Sequence, residues 1–174
     1  GLSEHEATAL TEDRARAQYF EGVVGALGLD PGRSAKVAAN WVLGEVARWL
    51  NAAGSEIDAF PLEEERLAGL ALLVEEGKIT PNVGKDVFEK MITSGRAAAA
   101  IVETEGLAQI SGEADLVDAV RRIIQANEKA VADYHAGKEA SLKFLVGQVM
   151  RETRGRANAQ VVQGLLEREL GENV

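Results

Sequence analysis

The sequence contains no cysteine and only two histidines, His5 and His135. Disulfides, thiolate nucleophiles and cysteine-ligated metals are therefore excluded. The two histidines are far apart and have no partner at ligand spacing, so no metal site is expected. Aromatic residues amount to only 5% of the chain, which leaves the apolar work to alanine, leucine and valine; the first two favour helix. No apolar run approaches the roughly 20 residues needed to cross a bilayer, and the polar, acidic start Gly1-Leu2-Ser3-Glu4-His5-Glu6 is unlike a signal peptide. A cytoplasmic location is expected, and the missing initiator methionine points to a processed chain or an excised piece. Positive charge is also in deficit. The formal net charge is −9, which argues against indiscriminate nucleic-acid binding while leaving room for a local basic patch. No glycine-rich phosphate loop, Ser/His/Asp set or nucleophile with a nearby base is present, so the chain alone does not read as a complete enzyme.

With 174 residues, 46% of them hydrophobic, there is enough material for one ordinary domain or two small ones. The punctuation is helical throughout, and no strand alternation is evident. Ser3 and Glu6 have capping-box spacing. Thr11 is the expected cap of a second helix running toward Leu27. Asp30-Pro31-Gly32 reads as a turn before a long helix over 33–53, stopped by Gly54. A helix is expected over 62–76, with Glu63, Glu64 and Glu65 in its first turn; they serve the helix dipole or, alternatively, a cation. Thr80-Pro81 is a cap with proline at the first helical position, and Gly95 and Gly106 close the next two helices. Ser111, in the stretch "LAQISGEAD", is a possible cap at a domain boundary. Leu116, Val117, Val120, Ile123 and Ile124 share one face of the helix that follows. Asn127 is the expected cap of a short helix ending in His135, whose ring suits that C-terminus. A helix over 138–154 stops at Gly155, and Asn158 caps a last helix with Val161, Val162, Leu165, Leu166 and Leu170 inside. Trp41 and Trp49, nearly on one face, suit core packing or, alternatively, stacking on a base. The architecture expected is all-α in two parts, a larger helical domain over 1–108 and a three- or four-helix tail over 109–174.

The sign of the charge changes along the chain. Before Lys138 there are thirteen basic and twenty-three acidic residues; from Lys138 to Gln160 there are five and two. At about 100° per residue, Leu142, Leu145, Val146 and Val149 form one side of the 138–154 helix, while Lys143, Gly147, Arg151 and Arg154 fall in a separate arc of roughly 80°. Phe144 lies at the edge of that arc, and Arg156 follows just past Gly155. Two readings are open. A solvated face with cations near the helix C-terminus accounts for Arg151 and Arg154. A phosphate-binding surface accounts for the whole stripe, since arginine grips phosphate with a planar fork and the amides opening the last helix favour anions. Gly147, at about 1 kcal/mol relative to alanine in mid-helix, serves close helix packing or close backbone approach.

The stretches "YFEGVVGALG", "KVAANWVLGEV", "LAGLALLVEEGKIT", "GKDVFEKMITSG", "AIVETEGLAQIS" and "FLVGQVM…GRANAQVV" together resemble, in order and over nearly the whole chain, the C-terminal part of the GatB family, the B subunits of the aspartyl/glutamyl-tRNA amidotransferases. The last third is also similar to the stand-alone YqeY proteins. The resemblance implies an all-α portion that helps hold misacylated Glu-tRNA(Gln) or Asp-tRNA(Asn), with the A and C subunits of the amidotransferase as partners. It places ATP and magnesium chemistry in an N-terminal region with no counterpart here, so no cofactor is expected for these residues. The carry-over reaches Lys143, Gly147, Arg151, Gly155 and Arg156; Arg154 joins them from the stripe alone. His135 stands where a basic residue is common in relatives. Contact with the RNA backbone rather than base reading suits these residue types. The rival expectation is a protein-interaction module docking a partner subunit or synthesis factor through arginine–carboxylate pairs.

Overall fold

The computed structural model describes residues 1–110 and 112–171. The described residues are helical with no strand, and the chain forms two compact units, Gly1–Gly106 and Leu107 onward. No helix among them is long and apolar enough to cross a membrane.

The first unit contains α1 (Glu4–Thr11), α2 (Arg14–Leu27), α3 (Pro31–Trp41), a π-helical turn (Val42–Val46), α4 (Ala47–Ala53), a 3-10 turn (Ile57–Ala59), α5 (Glu64–Glu75), α6 (Pro81–Ser94) and α7 (Ala98–Glu105). Its starts follow the local chemistry. Ser3 and Glu6 form the complete capping box, and the Thr80 hydroxyl accepts from the Val83 amide ahead of Pro81. Two starts differ from expectation. Asp13, not Thr11, caps α2, because its carboxylate reaches both the Ala15 and Arg16 amides while the Thr11 hydroxyl donates back to Ala7. Asp30 caps α3 directly, so Pro31 is the first helical residue rather than part of a turn. The long helix expected over 33–53 is interrupted by the π turn, in which the Ala47 amide donates to the Val42 carbonyl.

α5 is the centre of this unit. Leu67, Ala68, Leu70 and Ala71 are all buried, and it packs on α2, α3, α6 and α7, as expected for a helix apolar around much of its girth. Phe60 and Phe88 join three other elements, α2, α3 and α4, through their rings. Phe60 meets Tyr19 and Trp49 edge-on and stacks with Phe88, which in turn meets Trp41. The tryptophans therefore take part in packing within the unit. A Cβ on Gly84 would come 2.8 Å from Val74 and 3.4 Å from the Trp41 ring, so glycine is what lets α6 close on that ring. The Tyr19 hydroxyl donates to the Leu62 carbonyl; burial, then the Glu64 and Glu65 charges, push its pKa above the ordinary value.

The second unit contains α8 (Glu113–Ala126), α9 (Glu128–His135), α10 (Glu139–Glu152) and α11 (Ala159–Gly171). Its core is aliphatic: Leu116, Ala119 and Val120 of α8, Leu145 and Val149 of α10, and Val162, Leu165, Leu166 and Leu170 of α11. Each buried leucine contributes roughly 1.5–3 kcal/mol. α9 has no fully buried residue and lays Ala130, Val131 and Tyr134 against that core. Ile110 pairs with Ala157 in an isolated parallel bridge, and its amide donates to the Arg156 carbonyl at 2.9 Å. Ser111 lies outside the described residues; α8 follows Gly112 without a side-chain cap. Two expectations change here. Asn127 does not cap α9; its amide group donates to Ile123 and closes α8 instead. Val161 is 42% exposed rather than inside.

Candidate functional site

The surface singled out by the sequence is built by α10, the turn after it and the start of α11. Leu145 and Val149 anchor the inner face of α10, so residues on the opposite side of the wheel must face solvent. Lys143, Phe144, Gly147 and Arg151 are all exposed. Lys143, Gly147 and Arg151, four residues apart along the helix, form the stripe as expected.

Arg154 is not on that stripe. α10 ends at Glu152, and Thr153 satisfies the Val149 carbonyl with both its amide and its buried hydroxyl. The Gly155 amide donates to the Met150 carbonyl at 2.8 Å, the closing bond of a Schellman motif. In that motif the left-handed position belongs to Arg154, with φ 54°, and Gly155 follows at φ 73°. Arg154 is the one non-glycine residue with positive φ among the described residues. A side chain there costs on the order of 1–2 kcal/mol, which glycine would avoid. The exposed guanidinium of Arg154 thus sits on strained backbone that its own packing does not explain.

Arg156 is half-buried, and its Nε donates to the Thr153 carbonyl at 3.3 Å. The start of α11 is already satisfied in part, because Asn158 accepts from the Gln160 and Val161 amides at 2.9 and 3.3 Å. The idea that these amides receive a phosphate loses two donors to that cap.

Gly147 now has one explanation fewer. A Cβ placed on it meets nothing within 4 Å among the described residues, so their packing does not require glycine there. What it provides is an open, low stretch of α10 between Lys143 and Arg151.

Charge pairing separates these cations from their neighbours. Arg121 binds Glu169 at 2.8 Å, Arg122 binds Glu152 at 2.6 Å and Lys138 binds Asp133 at 2.6 Å. The hydrogen bonds from Arg121 and Lys138 hold the Glu169 and Asp133 carboxyls below their ordinary values. Because Arg122 neutralises Glu152, the carboxylate next to Arg151 is already engaged. Lys143, Arg151 and Arg154 have no side-chain hydrogen bond or ion pair among the described residues. Lys143 does line a groove of about 480 Å³ that Glu139 and Glu167 share, so its field is partly offset. Chemically, the surface offers two guanidinium forks and one ammonium to an anion.

Sequence reasoning left Phe144 outside the site. It is the most exposed large apolar residue described, at 48%. The signal for it was its position on the wheel, about 160° from Leu142 and well away from the apolar side.

A model of the GatB domain matches residues 18–170. The B subunit of the aspartyl/glutamyl-tRNA(Asn/Gln) amidotransferase of Caldanaerobacter subterraneus subsp. tengcongensis is 42% identical over 170 residues, 98% of this chain and 35% of the relative. The protein of the same name from Carboxydothermus hydrogenoformans is 44% identical over 170 residues, 98% and 34% of the two chains. That from Ralstonia nicotianae is 44% identical over 174 residues, 98% and 35%. The chain spans about a third of the length of the curated relatives it matches.

Proposed function

The chain belongs to the GatB domain family, and on that premise we propose that it is the tRNA-holding, C-terminal portion of the GatB subunit of a tRNA-dependent amidotransferase. In this reading it holds misacylated Glu-tRNA(Gln) or Asp-tRNA(Asn) while amidotransferase chemistry takes place elsewhere, with the A and C subunits as its assembly partners. The observation that carries the reading is the set of exposed cations Lys143 and Arg151 on either side of Gly147 and Arg154 in the turn after α10, none with an ion pair among the described residues. Lys143 and Arg151 stand roughly 12 Å apart along α10 at about 1.5 Å per residue, a reach that takes in more than one phosphate of an RNA backbone, and an acidic remainder confines the polyanion to this surface.

Binding by residues 1–174 alone is then weak and salt-dependent. Titration with tRNA at several salt concentrations tests it. The Lys143/Arg151/Arg154/Arg156→Ala variant should bind far more weakly, with the slope of log K against log salt reduced by about three. Equal binding and equal slope for the two proteins would remove the site. An assay of ATP-dependent transamidation with this chain alone should give no product. The second reading, docking of a partner protein, is favoured by the half-exposed Val161; capture of another amidotransferase subunit that survives ribonuclease and is lost in Val161→Asp would support it.

A further inference from the structure

We propose that Phe144 is a stacking platform for an unpaired nucleobase, so that the α10 surface reads single-stranded, loop-like RNA and not the phosphate backbone alone. The inference rests on the tRNA-holding reading and deepens it. Four observations converge. Phe144 is 48% exposed, although a phenylalanine in a helical unit with an aliphatic core has every reason to be inside. No other ring contacts it among the described residues. Its neighbours one turn away on the helix surface are Ala140 and Ser141 on the N-terminal side, toward which a helical side chain leans, and Gly147 and Gln148 on the other, so the small residues Ala140 and Ser141 leave the ring clear of the turn it lies over. Lastly, the ring forms one wall of a groove of about 550 Å³ between the start of α9 and α10, where Asn127, Lys129 and Ser141 offer hydrogen-bonding groups beside the Glu128 and Asp133 carboxylates, the second of them paired with Lys138.

Each element has a place in base recognition. A base taken out of a helix needs a flat apolar surface to replace its lost stacking, and an aromatic ring supplies it. The phosphates on either side of that base need cations, and Lys143 and Arg151 flank the ring along α10. The polar edge of the base needs donors and acceptors within reach, which the groove contains. A ring without the cations would equally suit an apolar peptide. Here three cations without carboxylate partners lie on the ring's own helix and the turn after it, which favours a polyanionic ligand.

The test uses two RNA probes, an unmodified tRNA transcript and a blunt, fully paired RNA duplex of similar length. Wild type, Phe144→Leu, Phe144→Gln, Phe144→Trp and Arg151→Ala are titrated with each. Phe144→Leu and Phe144→Gln should bind the tRNA about tenfold more weakly, leave duplex binding unchanged and keep the wild-type salt slope. Phe144→Trp should bind the tRNA at least as well as wild type. Arg151→Ala should weaken both probes and flatten the slope. Thermal unfolding should be nearly unchanged for all the Phe144 variants, because the side chain is half in solvent. If Arg151→Ala weakens tRNA binding while Phe144→Leu and Phe144→Gln do not, the platform is overturned and the tRNA-holding reading stands. Equal loss on both probes would also overturn it, making Phe144 a generic contact. If wild type binds neither probe, both readings fall together.

Discussion

In residues 1–106, ten basic side chains stand among eighteen acidic ones; from residue 107 onward nine stand among ten. Among the described residues of the first unit, every cation but Arg14 reaches a carboxylate or a carbonyl. Glu45 alone takes Arg48 and Lys85, Arg33 meets Glu75, Lys36 meets Glu6, Lys78 meets Glu76, and Lys90 meets Glu105. Arg16, Arg66 and Arg96 donate to backbone carbonyls. In the second unit Arg121, Arg122 and Lys138 are paired in the same way, but among the described residues Lys143, Arg151 and Arg154 are not. The aromatic rings divide in the opposite sense. In the first unit Tyr19, Trp41 and Trp49 interlock around Phe60 and Phe88, whereas the single phenylalanine of the second stands outside its core. An exposed ion pair stabilises by only about 0–1 kcal/mol, so pairing a surface cation gains the fold little. It does cancel the field an incoming anion would feel. The unit that is closer to neutral overall is therefore the one that can present positive charge, and net charge alone would have pointed nowhere.

The contrast can be attacked at its strongest point first. Phe88→Ala removes the ring that links Phe60 to Trp41 and should cost about 3–5 kcal/mol. Urea unfolding followed by tryptophan fluorescence reads this directly, since Trp41 and Trp49 both lie in the first unit. Hydrogen exchange should show lost protection in α2–α6 and none in α8, α10 and α11; uniform loss would contradict separate cores. A smaller effect sharpens the reading of the second unit. Arg154→Gly should raise stability by about 1 kcal/mol by relieving the left-handed residue, and Gly147→Ala should gain up to about 1 kcal/mol from helix propensity. Both should weaken tRNA binding even as the melting temperature rises. A drop in stability for Arg154→Gly would show that its side chain serves the fold.

The smallest effect is one of pH. Burial opposes ionisation of Glu45, but hydrogen bonds from Lys85 and Arg48 prevail and hold it below its ordinary value of 4.5. In Glu6 the hydrogen bonds from Lys36 and Ser3 lower it to about 2. A depressed carboxyl stabilises the folded state above its unfolded value and ceases to do so as pH falls through the folded one. The first unit should therefore hold its stability from neutrality to about pH 4.5 and lose it below. Glu45→Gln should cost about 1 kcal/mol at neutral pH and flatten the acid limb, which acid titration of the tryptophan signal would measure.

Features set by neighbours in sequence were legible before the structure. Ser3 with Glu6, Thr80 with Pro81, the stops at Gly54, Gly95 and Gly106, and the Asn158 cap all act within one turn of helix. The failures came where two local partners compete or where packing decides. Thr11 was the expected cap, but Asp13, two residues on, is the one that reaches two amides. Asn127 had carbonyls behind it as well as amides ahead, and took the former. The π turn at Val42–Val46 has no sequence signature of its own, since Val42 and Val46 are buried by contacts from other helices. At the candidate site, Lys143, Gly147 and Arg151 followed from periodicity. Arg154 did not, because the helix ends two residues before it. Whether a cation has a carboxylate partner depends on residues dozens of positions away, such as Glu152 and Arg122, which no wheel displays.

The short clasp between Ile110 and the Arg156 carbonyl gives the second unit a load path. A pull on the chain at residues 107–110 is shared with the turn that carries Arg154 and Arg156, through that hydrogen bond and the buried Ala157 beside it. The chain's entry into the unit and the turn that carries its most strained cation are thus mechanically coupled.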